Sequence, residues 1–291
     1  MPSEPECVWN LGCELGEGPM WSAAERAVWF VDIKKRQIHR WGEDGETRSW
    51  DTPDQTGFVL PMQGGGFVAG VRGGLHRFDP ESGRFEMLQP VEPDKPENRL
   101  NDGYVDARGR LWFGTMHDSE GAVAGSLYRW DGAGEPRAMD GGYAITNGPT
   151  VSPDGRTLYH TDTRAKVIYA FDLSADGELS NKREFRRFGG DEGNPDGPAI
   201  DSEGCVWTSQ FGGWGVRRYS PSGELLAFVR FPCANITKVA FGGDDLRTVY
   251  ATTARLHLSE EQRAAQPLAG GLFRFRVETP GLPQNAVRAA A

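Results

Sequence analysis

Cysteine is in short supply. Cys7, Cys13, Cys205 and Cys233 are the only four in 291 residues, and none forms a CxxC pair or a zinc-like spacing. That pattern excludes a disulfide scaffold, a structural zinc module and a dithiol redox centre, and leaves reduced, partly buried thiols. Long apolar runs are missing as well: none approaches the roughly 18 residues that a membrane-spanning helix requires. Basic charge is outweighed, with 32 Lys and Arg against 41 Asp and Glu and a formal net charge of −9. Nucleic acids and anionic membranes both call for basic patches, so neither is expected as a partner. The opening stretch MPSEPECVWNLG lacks the basic-then-apolar pattern of a leader. From these absences we expect a cytoplasmic protein; a monomer is also expected.

Helical periodicity is also nearly absent. The one candidate helix covers 258–266, where Ser259 is placed to cap the N-terminus. What fills the chain instead is 39 glycines and 19 prolines punctuating short runs such as AVWFVDI, RLWFGTM, TLYHTDT and CVWTSQF. These runs are rich in β-branched and aromatic residues and read as strands. They recur. NDGYVDARGRLWFGTM from Asn101, NGPTVSPDGRTLYHTD from Asn147 and DGPAIDSEGCVWTSQF from Asp196 overlay closely, each a polar residue with Gly, a strand, a turn closing on Gly, and a second strand. The aromatic anchors Trp29, Phe67, Trp112, Tyr159, Trp207 and Tyr250 mark six units spaced about 45 residues apart. Such units cannot bury their own faces, so the expected fold is an all-β, six-bladed β-propeller occupying 1–291 as a single domain. The run from Cys7 is placed to supply the outer strand of the last blade, and 278–291 reads as an extended tail.

In a propeller the first strand of each blade lines the central channel, so residues in phase share one rim. Counting back 11 or 12 residues from each anchor gives Glu17, Thr56, Asn101, Asn147, Asp196 and Lys238. Two carboxylates and an amide carbonyl converging from different blades form a hard oxygen set for a divalent cation. Three protein ligands would leave positions for water and substrate. No G-x-S-x-G nucleophile motif is present. His117 and His160 are expected to be hydrogen-bonded supporting residues rather than bases, and Trp214 a candidate for the pocket wall.

At these residues the sequence resembles the senescence marker protein, regucalcin and gluconolactonase family of six-bladed propellers. The likeness is carried by LGEGPMW, NRLNDGYVDARGRLWFGTM, GSLYRW, ITNGPTVSPDGRTLYHTDT, NPDGPAID and AQPLAGGLFRF, which run from residue 11 to about 276. WFVDIKKRQIHRW, GTMHD and LSNKR resemble the xylonolactonase-type sugar lactonases within that family. The resemblance implies a divalent metal (calcium, zinc, manganese or iron(II)) on Glu17, Asn147 and Asp196, and sugar-hydroxyl contacts from Arg99 and Asn101. It implies one more hydroxyl contact after GTM, where the aligned residue is Ser119, flanked by Asp118 and Glu120. The implied activity is hydrolysis of an aldonolactone, a pentonolactone ahead of gluconolactone, with Glu17 and Asp196 catalytic. Asp196 would take the proton of the attacking water, and Lys238 would assist the oxyanion or leaving alkoxide. The competing expectation is a regucalcin-like propeller that binds metal without catalysis; it leaves a sugar clamp at Arg99 and Asn101 unexplained.

Overall fold

The computed structural model describes residues 2–288. Six four-stranded antiparallel sheets are arranged as a six-bladed β-propeller. The innermost strands, in blade order, are Gly16–Ser22, Thr56–Pro61, Asn98–Val105, Thr146–Val151, Asn194–Ile200 and Ile236–Gly242. Blade 6 is completed from the other end of the chain: Glu6–Trp9 pairs antiparallel with Leu272–Arg276 and forms its outermost strand. Closing the ring with the first and last segments removes the one seam at which the blades would otherwise part.

The anchor aromatics stand on the second strand of each blade and are buried. The core lies between blades. Trp21 stacks on Tyr250 at 5.5 Å across blades 1 and 6, Trp29 meets Phe67 at 4.5 Å across blades 1 and 2, and Trp207 meets Phe241 at 5.9 Å across blades 5 and 6. The hairpin turns explain why Trp recurs. In blade 5, Asp201 Oδ1 accepts the backbone N–H groups of Glu203 and Cys205 at 3.0 Å each, while Oδ2 accepts Trp207 Nε1 at 2.9 Å and Arg218 Nε at 2.7 Å. Asp106 repeats the arrangement in blade 3 with Arg108, Arg110 and Trp112. One aspartate thus closes the turn and satisfies the indole behind it. Blade 1 has no such aspartate, and Trp29 Nε1 is buried with no hydrogen-bond partner among the described residues.

Every innermost strand shows a register shift against its neighbour near its start, at Glu17/Met20, Thr56/Val59, Leu100/Gly103, Asn147/Thr150, Pro195/Pro198 and Ile236/Lys238. A β-bulge leaves residues out of the ladder and re-aims side chains, and here it does so at one end of the channel in all six blades. The tail crosses the opposite mouth. Gly281 bridges to Asp201, Val287 to Met62, and Asn285 Nδ2 donates to the Val105 carbonyl at 3.2 Å. The short helix Glu260–Ala265 lies between the third and second strands of blade 6, counted from outside, and is capped by Ser259 and Gln262 reciprocally. No helix among the described residues is long and apolar enough to cross a membrane, and all four cysteines are free.

Asp201 is fully buried, so Asp201→Ala strands an arginine, an indole and two backbone donors at once. The expected cost is about 3–5 kcal/mol of unfolding free energy, read by denaturant titration. A loss below about 1 kcal/mol would show that the network is not what closes blade 5.

Candidate active site

A cavity of about 360 Å³ opens at the bulged end of the channel, and its walls include Glu17, Arg99, Asn101, Glu120, Asn147 and Asp196. Its size falls at the low end of small-ligand sites, about 300–1,000 Å³. Larger hollows lie elsewhere on the surface, one between the blade 3 and 4 hairpins and the tail and one where blades 1, 2 and 6 meet the tail, and the in-phase carboxylates line neither.

Each prospective ligand arrives from a different blade and is steadied locally. Glu17 Oε2 accepts the N–H of Gly18 at 2.8 Å, and Asp196 Oδ1 accepts that of Gly197 at 3.0 Å. Asn147 donates its amide to Thr163 Oγ1 at 2.8 Å and receives Asn101 Nδ2 on its oxygen at 2.9 Å. A carbonyl oxygen has two lone pairs, so the Asn147 oxygen keeps one for another partner. Gly148 follows with φ of +76°, a conformation that would strain a side-chain-bearing residue there, and its N–H goes to Asp102 Oδ2 at 2.7 Å.

Burial and neighbouring charge oppose the ionisation of both carboxyls. Burial raises the Glu17 carboxyl to about 8, with the Asp102 charge adding to the shift. Burial likewise raises Asp196, and the charges of Glu17 and Asp102 push it further. Two buried carboxylates that oppose each other's ionisation, joined by an amide oxygen, fit a divalent cation with hard oxygen preference. Among the described residues no group of three His, Cys, Asp or Glu could hold a metal; the set here has two carboxylates and needs the Asn147 amide to make three.

Arg99 is only 2% exposed, an expensive placement unless its donors are used. Burial lowers its pKa, and the Asp118 charge works against that shift. Its Nε donates to Asp118 at 2.9 Å and its Nη1 to Asn101 Oδ1, while Nη2 has no protein partner among the described residues. Asp118 is a hub: it also receives Lys34 Nζ at 2.7 Å and Gln55 Nε2 at 3.0 Å. Burial works to raise its pKa, but those two hydrogen bonds and the Arg99 charge prevail and hold it at about 2.

The three residues left open after GTM therefore separate. Glu120 lines the cavity and lies 3.0 Å from His257 Nε2. Asp118 stands behind Arg99, and Ser119 bonds the His117 ring at 2.9 Å; neither lines the cavity. The expectation for Lys238 needs correcting. Its ammonium donates to Asp102 and to the Gly103 carbonyl, and it borders the smaller hollow below the site rather than the cavity itself. The cause is a hairpin one residue longer in blade 6. Ala240 faces Tyr250, whereas Thr150 faces Tyr159, so the residue in phase with Asn147 is Thr237. Thr237 donates to the Gly16 carbonyl at 2.6 Å. Trp214 does not line the cavity; Phe211 does. His160 is fully buried, packs edge-on against Tyr143 at 4.7 Å, and is pushed down to about 3 by burial, so it is a neutral core residue. Thr163, Arg164, Asn194 and His257 also border the cavity. Thr163, Arg164 and His257 sit on loops and Asn194 begins the inner strand of blade 5, all outside the repeat phase, where counting from the anchors has no reach.

Residues 15–255 match the family described as the SMP-30/gluconolactonase/LRE-like region. The chain is 37% identical to a 6-deoxy-6-sulfogluconolactonase of Pseudomonas putida over 95% of its own length and 96% of that protein. It is 34% identical to an L-arabinolactonase of Azospirillum brasilense, over 92% and 90%. Among solved structures it superposes on a calcium-binding protein, regucalcin, from Agrobacterium tumefaciens with a TM-score of 0.94 at 28% identity, covering 99% of this chain and 98% of that one.

Burial of the carboxyls, reinforced by their neighbours' charge, sets a pH signature for the metal-free protein. The native Glu17 carboxyl holds its proton up to about pH 8, while an unfolded glutamate releases it near 4.5. The unfolded state therefore binds fewer protons across that window, and stability falls as pH rises through it. Glu17→Gln is expected to flatten this loss and to raise metal-free stability near pH 8 by about 1–3 kcal/mol, while weakening stabilisation by added divalent cations. Thermal melts from pH 5 to 8, with chelator and with metal, measure both effects. A flat wild-type profile, or equal slopes in the two proteins, would contradict the arrangement.

Proposed function

Because the chain belongs to the SMP-30/gluconolactonase/LRE-like family, we propose that it is a metal-dependent sugar lactonase, opening an aldonolactone to the aldonic acid. One observation carries the reading. A buried arginine with an uncommitted Nη2 faces the same cavity as two carboxylates and an amide oxygen suited to a divalent cation. A propeller that only bound metal would have no use for that arginine. The names of two relatives, a sulfogluconolactonase and an arabinolactonase, support the substrate class. A five-carbon lactone, expected from the resemblance, is the first substrate to try.

When bound by Glu17, Asn147 and Asp196, the cation supplies Lewis-acid polarisation of the lactone carbonyl. The remaining work falls to the chain. Arg99 Nη2 and Glu120 take ring hydroxyls, one as donor and one as acceptor, and so orient the ring. Asn101 is largely spent on Arg99 and Asn147, so it aligns those two groups and offers the sugar one remaining lone pair. Asp118 holds Arg99 in place. Asp196 accepts the proton of the attacking water on the oxygen that Gly197 does not hold, then returns it to the departing ring oxygen as the ester bond breaks. A carboxylate in a buried site is a stronger base than in water, which favours the first transfer.

The test is acid release from xylono-, arabinono- and gluconolactone by metal-stripped protein with single divalent ions restored, after subtraction of spontaneous opening. Asp196→Asn is expected to lower kcat by about 10²–10⁴, and Arg99→Lys to raise KM about tenfold with a smaller change in kcat. Tight metal binding with no turnover on any lactone would replace the enzyme by a metal-binding propeller, as the calcium-binding neighbour would suggest.

A further inference from the structure

Two arginines and a histidine border the cavity, and two of the three are engaged. Arg99 is held by Asp118 and Asn101, and His257 by Glu120. Arg164 is the third. It is exposed at the rim and makes no hydrogen bond or ion pair with any described residue.

The turn beneath it is held firmly. Thr163 N–H donates to the Ile145 carbonyl at 3.0 Å, Ala165 N–H to Asp162 Oδ1 at 3.1 Å and Lys166 N–H to the Thr163 carbonyl at 3.2 Å. Arg187 Nη1 adds a bond to the Ala165 carbonyl at 3.3 Å. Thr163 is also the residue that receives the Asn147 amide. The backbone carrying Arg164 is therefore tied to the prospective metal ligand next to it, while the guanidinium stays free. The carboxylates that could neutralise it on the cavity floor, Glu17 and Asp196, are buried and face the cation position. The next rim residue in blade 5 is a neutral amide, Asn194, whose Nδ2 donates to the Phe211 carbonyl at 3.3 Å.

A planar guanidinium with five donors matches a tetrahedral oxyanion through paired hydrogen bonds. With the reacting carbonyl at Asp196 and the ring hydroxyls at Arg99 and Glu120, the exocyclic end of a bound lactone is the part left to face the rim. We propose that Arg164 forms an anion subsite, and that the preferred substrate is an aldonolactone whose exocyclic carbon carries a sulfonate or phosphate group. This rests on the lactonase reading above.

The experiment compares the metal-loaded protein with Arg164→Ala and Arg164→Lys on unsubstituted xylono- and gluconolactone, a 6-sulfonated gluconolactone and a terminally phosphorylated lactone. Wild type is expected to favour an anionic lactone, and the sulfonate and phosphate arms identify which. Arg164→Ala should raise KM for that lactone about tenfold and leave the unsubstituted ones within about twofold, with Arg164→Lys in between. A ratio of anionic to neutral lactone unchanged by Arg164→Ala overturns the subsite and leaves the lactonase reading standing. Calorimetric titration of the ring-opened sulfonated, phosphorylated and unsubstituted aldonates, which needs no turnover, covers the case in which no lactone is opened. Selective loss of anionic aldonate binding in Arg164→Ala then upholds the subsite while the lactonase reading falls; equal affinities overturn both.

Discussion

Three carboxylates crowd the axis of this propeller, and the rest of the site is arranged around their charge. Glu17, Asp102 and Asp196 come from blades 1, 3 and 5, all buried. Lys238 from blade 6 answers one of them, pairing with Asp102, and the same carboxylate receives the Gly148 N–H on its other oxygen. Removing either partner of a buried pair is costly even when the pair itself adds little stability. Lys238 and Asp102 therefore act as a fixed support under the cavity, tying blades 3, 4 and 6 together. Glu17 and Asp196 have no such cationic hydrogen-bond partner among the described residues, so they are the pair that a bound cation would neutralise.

The bulges make this crowding possible. A regular ladder would alternate side chains between the two faces of each blade and send few of them along the axis. Shifting the register near the start of each inner strand aims side chains there toward the channel, both Asn101 and Asp102 in blade 3. In five blades the aimed residue stands three positions before the partner of the anchor aromatic: Glu17 before Met20, Asn101 before Tyr104, Asn147 before Thr150, Asp196 before Ala199 and Thr237 before Ala240. The scaffold repeats while the aimed residue changes, so carboxylate, amide and hydroxyl are presented by one geometry. Loops between strands, which escape the repeat, add Glu120, Arg164 and His257 above it and set what the cavity meets at its rim.

How far the sequence could be followed depends on how local each signal was. The blades were legible because the anchor aromatics and their turn aspartates recur in chain order, and a turn such as Asp201 to Cys205 is closed by bonds within a few residues. Glu17, Asn101, Asn147 and Asp196 were legible by the same count, and the structure brings all four to one cavity. Lys238 stands one residue past the in-phase Thr237 because the blade 6 hairpin is longer, and it reaches the axis below the cavity, at Asp102, rather than the cavity itself. The choice among Asp118, Ser119 and Glu120 was not legible, since Glu120 meets His257 from a loop more than a hundred residues away.

What the sequence determined by itself was the number of blades, the closing strand and four of the residues that reach the cavity, Glu17, Asn101, Asn147 and Asp196, because periodicity and turn chemistry are written in neighbouring residues. Only the tertiary structure decided which charges are paired. Asp102 with Lys238, Asp118 with Arg99 and Lys34, Glu120 hydrogen-bonded to His257, and Arg164 with no partner among the described residues are all matters of distance between blades. Ring closure sets those distances, and no single repeat contains them.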